Sequence, residues 1–141
     1  MAVRSAEAKW SGTLQEGKGN VKLESGAFEG AYSFSSRFEE GTGTNPEELL
    51  GAAHAACYSM ALNAALGRAD FTPEYVKTTA KVHMVKTDAG LTITKIDLIT
   101  EAKIPDIDDA TFQEHAEGAK TGCIISRALS AVEMSLEATL V

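Results

Sequence analysis

The chain has little of what marks a nucleic-acid, membrane or disulfide-built protein. Its 141 residues carry 13 Lys and Arg against 20 Asp and Glu, so at a net charge of −7 there is no basic excess to meet phosphates or anionic lipid. Only two cysteines are present, Cys57 and Cys123, too few for a disulfide framework. No Cys-x-x-Cys occurs, and His54, His83 and His115 lie too far apart in sequence to suggest zinc-ligand spacing. Neither a metal nor a cofactor is therefore expected. The opening MAVRSAEAKW lacks the apolar core of a signal peptide. No run of about 18 apolar residues reads as a membrane span, because His54, Ser59 and Asn63 interrupt the longest candidate. The expectation is a cytoplasmic protein, and there structural disulfides are rare while catalytic ones are not.

What is present reads as one domain, residues 1–141, of a size that buries a substantial core. Short alternations punctuated by glycine predict an N-terminal β-meander over 8–38, with YSFSSRF as its last strand. Asn45-Pro46-Glu47-Glu48 then reads as a helix start. Asn suits the cap, Pro the first position, and the acids the positive end of the dipole. That central helix, 46–67, is roughly 32 Å long and apolar on most faces, so burial on most sides is expected. A hairpin over 75–104 follows, with Asp88-Ala89-Gly90 as its turn. In its second strand Leu91, Ile93, Lys95 and Asp97 share one face and Ile96, Leu98 and Thr100 the other. Helices 108–121 and 123–130 and a closing strand 131–140 complete an α+β order. A sheet of this order covers only part of the central helix, which suggests a second copy of the chain.

The stretch LLGAAHAACYSMALNAALG places Cys57 near the middle of that helix. A free cysteine is usually buried and inert, and for an isolated thiol on an Ala-rich helix that reading comes first. Three features pull the other way. Cys123 follows Gly122 where one helix stops and another starts, and N–H groups at such a place favour thiolate. Arg37 ends YSFSSRF, either as a surface charge or turned toward a carboxylate or thiolate. Glu48 fits the capping-box position from Asn45, which leaves Glu47 the freer acid. Glu47 lies about 15 Å along the helix from Cys57 and about 80° around it, so the two cannot touch within one helix. His54, one turn before Cys57, is either a hydrogen-bonded core residue or a proton acceptor for the thiol.

RFEEGTGTNPEELLGAAHAACYSMAL and GCIISRAL, with AKWSGTLQEGKGNVKLESG and DFTPEY, resemble the signature regions of the OsmC/Ohr family of thiol-dependent hydroperoxide reductases, on its OsmC branch. The resemblance spans almost the whole chain. It implies an intertwined homodimer, with antiparallel β-sheets wrapped around long central helices and active sites at the subunit interface. It implies Cys57 as peroxidatic cysteine, Cys123 as resolving cysteine, Arg37 as the arginine that stabilises thiolate, and Glu47 as its carboxylate partner. Cys123-Ile124 departs from the family's usual Cys-Pro and gives a less fixed turn. The implied activity is reduction of organic hydroperoxides, and more weakly of hydrogen peroxide, to alcohols in oxidative or osmotic stress. It runs through a Cys57 sulfenate and a Cys57–Cys123 disulfide that an external dithiol, such as a lipoyl protein, reduces. Leu49, Leu50, Tyr58 and Met60 are read as the apolar surroundings that favour organic peroxides. Gly51, Ala52, Ala55 and Ala56 are read as small residues that let a helix or strand approach closely. The alternative is a redox-sensing or small-molecule-binding dimer with an oxidisable cysteine pair.

Overall fold

A computed structural model describes residues 1–141. The chain packs into two compact units, Met1–Leu49 and Leu50–Val141, where the sequence reads as one domain.

The first unit is a three-stranded antiparallel sheet, β1 (Ala6–Ser11), β2 (Lys18–Leu23) and β3 (Glu29–Tyr32), followed by a short helix α1 (Phe34–Phe38). Gly19 sits between Trp10 and Tyr32 in register, and the two rings meet over it with centroids 5.4 Å apart. A Cβ at Gly19 would lie 2.5 Å from the Tyr32 ring and 2.8 Å from Trp10, so only glycine admits this pair. Of YSFSSRF, expected as the last strand, only Tyr32 is in β3, and Phe34–Phe38 is a helix capped by Ser33. Ser33 and Ser36 form a reciprocal capping box, each hydroxyl bonding the other's backbone N–H, at 3.1 and 2.8 Å. Hydroxyls that capture backbone donors locally draw a segment away from strand pairing.

Helix α2 (Pro46–Arg68) starts where Asn45 Oδ1 accepts from Glu48 N–H at 2.8 Å, while the Asn45 amide donates to Ser36 O at 3.1 Å. Within one chain α2 is not buried all round. Gly51, His54, Tyr58, Leu62 and Leu66 form a buried stripe at three- and four-residue spacing, while Met60 on another face is 74% exposed. Each fully buried leucine contributes about 1.5–3 kcal/mol of hydrophobic free energy. Gly51 faces a strand, where an added Cβ would stand 3.3 Å from Ala80 O. By length and composition α2 does reach the range of a membrane span: its most apolar window has mean hydropathy 1.3, with 28% of it buried. The buried stripe carries His54 and Tyr58 in the core, as a core helix of this length does.

The second unit contains the β4 (Tyr75–Thr87)–β5 (Gly90–Lys103) hairpin, helices α3 (Asp109–Gly122) and α4 (Ile124–Ala128), and β6 (Glu133–Leu140). Its sheet is mixed, not purely antiparallel. The α3–α4 crossover returns the chain so that β6 runs parallel to β5, with Leu98 opposite Leu136. The face assignment in β5 also changes. The ladder pairs His83 with Lys95 but Met84 with Ile93, so Thr94 is an extra residue and the strand changes phase there. Ile93 consequently packs with Ile96 and Leu98 on the core side, and Lys95 and Asp97 pair at 2.9 Å on the other. Tyr58, Leu62 and Leu66 from α2, Ile96 and Leu98 from β5, and Phe112 from α3 fill the core.

Candidate active site

Two residue sets with chemistry emerge, one in each unit. In the second, Cys57 stands on α2 and Cys123 at the junction of α3 and α4, with their sulfurs 3.0 Å apart and both thiols free. Cys123 ends α3 through its N–H to Ala119 O, 3.0 Å, and caps α4 by accepting from Ser126 N–H at 3.5 Å. Tyr58, beside Cys57, ties α2 to α3 by donating from its hydroxyl to Ala116 O at 2.9 Å. A disulfide needs about 1 Å of further approach between the sulfurs. The reach across α2 and α4 is thus already made.

The two sulfurs differ in surroundings. Cys123 is 1% exposed and Cys57 is half-buried. Desolvation pushes the Cys57 thiol up, and the neighbouring Cys123 pushes it the same way. For Cys123 desolvation also acts upward, but hydrogen bonds from Cys57 and from the Ser126 N–H and hydroxyl outweigh it and bring the thiol down.

His54 is fully buried one turn before Cys57, yet its bond goes elsewhere: Nε2 lies 2.8 Å from Ser126 Oγ, and Nδ1 has no partner. Burial lowers its pKa, which keeps the ring neutral. Ser126 did not stand out in the sequence. The Cys-x-x-Ser spacing at a helix start, with a hydroxyl at the third helical position, is the one local signal that marks it. Tyr58, read as part of the thiol's apolar surroundings, is a core residue with 0% exposure in the cluster against which Cys57 packs, while Met60 faces outward.

In the first unit, Arg37 on α1 and Glu47 at the start of α2 form a two-pronged pair. Nη2 donates to Oε1 at 2.7 Å, and Nε donates to Oε2 at 3.1 Å and Oε1 at 3.2 Å. The Glu47 hydrogen bond raises the Arg37 pKa. Glu47's own desolvation acts upward, and the bonds from Arg37 and the backbone outweigh it and lower its carboxyl. Arg37 also lies 5.1 Å from the Phe38 ring centroid. Glu48 is engaged separately, accepting from Thr44 Oγ1 at 3.1 Å. The Arg37 side chain remains 37% exposed, with Nη1 free of hydrogen bonds.

This combination defines a small α+β dithiol protein, with two thiols converging from α2 and the α3–α4 junction and a carboxylate-held arginine. The family model for OsmC-like protein matches residues 39–137, and the chain belongs to that family. It is 50% identical over 135 residues to the peroxiredoxin OsmC of Escherichia coli K12, a match covering 95% of this chain and 94% of that one. Solved structures similar in fold include an organic hydroperoxide resistance protein OsmC from Legionella pneumophila, 24% identical with TM-score 0.74 and complete coverage of both chains. The organic hydroperoxide resistance protein OhrB of Bacillus subtilis is 23% identical with TM-score 0.71, over 95% of this chain and 97% of that one.

Proposed function

We propose that the chain is a thiol peroxidase that reduces organic hydroperoxides, with Cys57 as the attacking thiol and Cys123 as its resolving partner. The observation that carries this reading is the convergence of the two sulfurs to 3.0 Å in a chain half identical to a peroxiredoxin. Exposure supports this division of roles. A peroxide can reach half-buried Cys57, whereas Cys123 is closed off from solvent. The Cys57 thiolate attacks one oxygen of ROOH, the O–O bond breaks, and the sulfur becomes sulfenic acid as ROH leaves. Cys123 condenses with the sulfenic acid to give a disulfide and water, and an external dithiol restores both thiols.

The chain's own surroundings push the Cys57 thiol up, and a neighbouring cation acts the other way, toward thiolate. We assign that task to Arg37, with Glu47 fixing its fork. The assembly is a homodimer. Ala53, Ala56, Met60 and Ala64 form an exposed, largely apolar stripe on α2, and a second copy is its proposed cover. Sedimentation at micromolar concentration is expected to give twice the chain mass, and a monomer would overturn the dimer.

The test of function is consumption of cumene hydroperoxide against hydrogen peroxide, with dithiothreitol and then lipoamide as reductant. Faster consumption of the organic peroxide is expected. Negligible turnover with reversible closure of the cysteine pair would instead assign a redox sensor.

A further inference from the structure

The cysteine pair is open on one side only. Cys123 is 1% exposed and belongs to the buried cluster with Tyr58, Phe112 and Ala119, whereas Cys57 packs against that cluster and is half-buried. The helix sets this difference. His54 precedes Cys57 by three residues and Met60 follows it by three, so they lie about 60° to either side of it around α2. His54 is fully buried and Met60 is 74% exposed, and Cys57 stands at the border between them. Cys123 has no such border. It closes α3 through its N–H to Ala119 O at 3.0 Å, and its sulfur meets Cys57 at 3.0 Å and the Ser126 N–H at 3.5 Å.

Exchange between a thiol and a disulfide depends on which sulfur the incoming thiolate can reach and on how readily the other sulfur leaves with its charge. Access favours Cys57, and the donor at the departing sulfur favours Cys123 as the leaving group. We propose that the dithiol that restores the chain enters at Cys57 and expels Cys123, so that the mixed disulfide with the reductant forms on Cys57 and not on Cys123. This rests on the peroxidase reading above for its place in the cycle. The first thiolate of the reductant attacks Cys57 Sγ. A bond forms between those two sulfurs as the Cys57–Cys123 bond breaks, and Cys123 leaves with the electron pair as thiolate. The Ser126 N–H stands ready to receive that charge. The second thiolate of the reductant then attacks the first sulfur, its ring closes, and Cys57 leaves as thiolate. The reductant is oxidised to a cyclic disulfide, the two cysteine sulfurs gain two electrons, and the protons of the reductant's thiols pass to them. The same geometry explains the need for two thiols. A monothiol on Cys57 faces the expelled Cys123 at the separation of the reduced pair, 3.0 Å, and is displaced back. A second thiol on the same molecule competes with that return as an intramolecular reaction.

The experiment uses the full chain with its disulfide made by diamide, so no peroxide enters. A large excess of 2-mercaptoethanol is added, exchange is stopped with acid, free thiols are alkylated, and the two cysteine peptides are compared by mass spectrometry. At the earliest times the mercaptoethanol adduct is expected on Cys57 in about tenfold excess over Cys123. A companion measurement reads access directly: limiting iodoacetamide on the reduced chain is expected to modify Cys57 about tenfold faster than Cys123. An adduct first on Cys123, or equal adducts on both, overturns the proposal, as does faster alkylation of Cys123. A pair that diamide cannot close, or a disulfide that resists 2-mercaptoethanol and dithiothreitol alike, overturns it as well. Because diamide makes the disulfide, a failure to consume cumene hydroperoxide would sink the peroxidase reading and leave the point of entry decided.

Discussion

The two residue sets handle polarity in opposite ways. Around Arg37 the polar chemistry is ionic and partly in water: Arg37 and Glu47 share a forked bond, and the Arg37 side chain remains 37% exposed. Around Cys123 it is neutral and enclosed: the His54 imidazole is bonded to the Ser126 hydroxyl, the Ser126 N–H meets the Cys123 sulfur, and each residue is no more than 5% exposed. The difference follows from desolvation. A full charge in the core costs several kcal/mol, so the buried set carries dipoles and sulfur, while the ion pairs of both units, Arg37–Glu47 and Lys95–Asp97 among them, lie where water still reaches them. In the proposed cycle this divides the labour: the exposed pair supplies the cation for attack on peroxide, and the enclosed thiol ends the turnover.

The comparison breaks most sharply at the cysteines. Cys57→Ser is expected to abolish peroxide consumption, and retained activity would sink the assignment. Cys123→Ser should allow a single turnover per chain, after which mass spectrometry should find Cys57 as sulfenic or sulfinic acid; sustained dithiol-driven cycling would show that Cys123 is dispensable. Next in size is Arg37→Ala, which should raise the Cys57 pKa and lower the rate of peroxide attack about a hundredfold, read from thiolate absorbance and single-turnover kinetics. Glu47→Gln should do the same more weakly, since the guanidinium stays while its fork loses charge. Equal effects from both would mean that the pair acts as one unit and not as a cation with a holder.

How much of this was readable in sequence depends on the range over which each feature is determined. The start of α2 is local: Asn45, Pro46, Glu47 and Glu48 state it within four residues, and Asn45 takes the cap. The freedom of Glu47 relative to Glu48 follows from the same spacing, because Glu48 is occupied near the cap by Thr44. YSFSSRF misled because its alternation also fits a strand, and two serines bonding each other's backbone decided for helix. The phase change at Thr94 depends on pairing with β4, and the parallel direction of β6 on the α3–α4 crossover; neither is written in the strand itself. The His54–Ser126 link joins positions 72 apart. The sequence leaves His54 either a hydrogen-bonded core residue or a proton acceptor for Cys57, and the fold makes it the former by bringing Ser126 to it.

The pH dependence of stability should separate the two units in a smaller way. His54 has its pKa lowered from 6.5 by burial, so its folded form binds fewer protons than its unfolded form. The sign is then fixed: stability is full above about pH 6.5 and is lost as the pH falls below it toward the depressed value. Glu47 is also depressed, from 4.5, so its contribution is present above that value and is lost only as the pH falls through its lowered one. Urea midpoints measured from pH 7 downward should decline first through His54, and His54→Gln should flatten that first decline while leaving the acid-side loss in place. A midpoint flat from pH 7 to 5 would mean that His54 charges without cost, and the enclosed character of the second unit would fail.

The smallest effect belongs to the ion pair's own stability. Arg37 is more than a third exposed and Glu47 mostly covered, so water screens the attraction despite its forked geometry. Glu47→Gln is expected to lower unfolding stability by no more than about 1 kcal/mol, with the loss shrinking further in 1 M salt. A loss of about 3 kcal/mol, insensitive to salt, would show that the pair is desolvated in solution, as a second copy closing over α1 and the start of α2 would make it. The thermodynamic cost of one neutralised carboxylate thus reports, without any peroxide present, whether the exposed half of the comparison is exposed in the assembled protein.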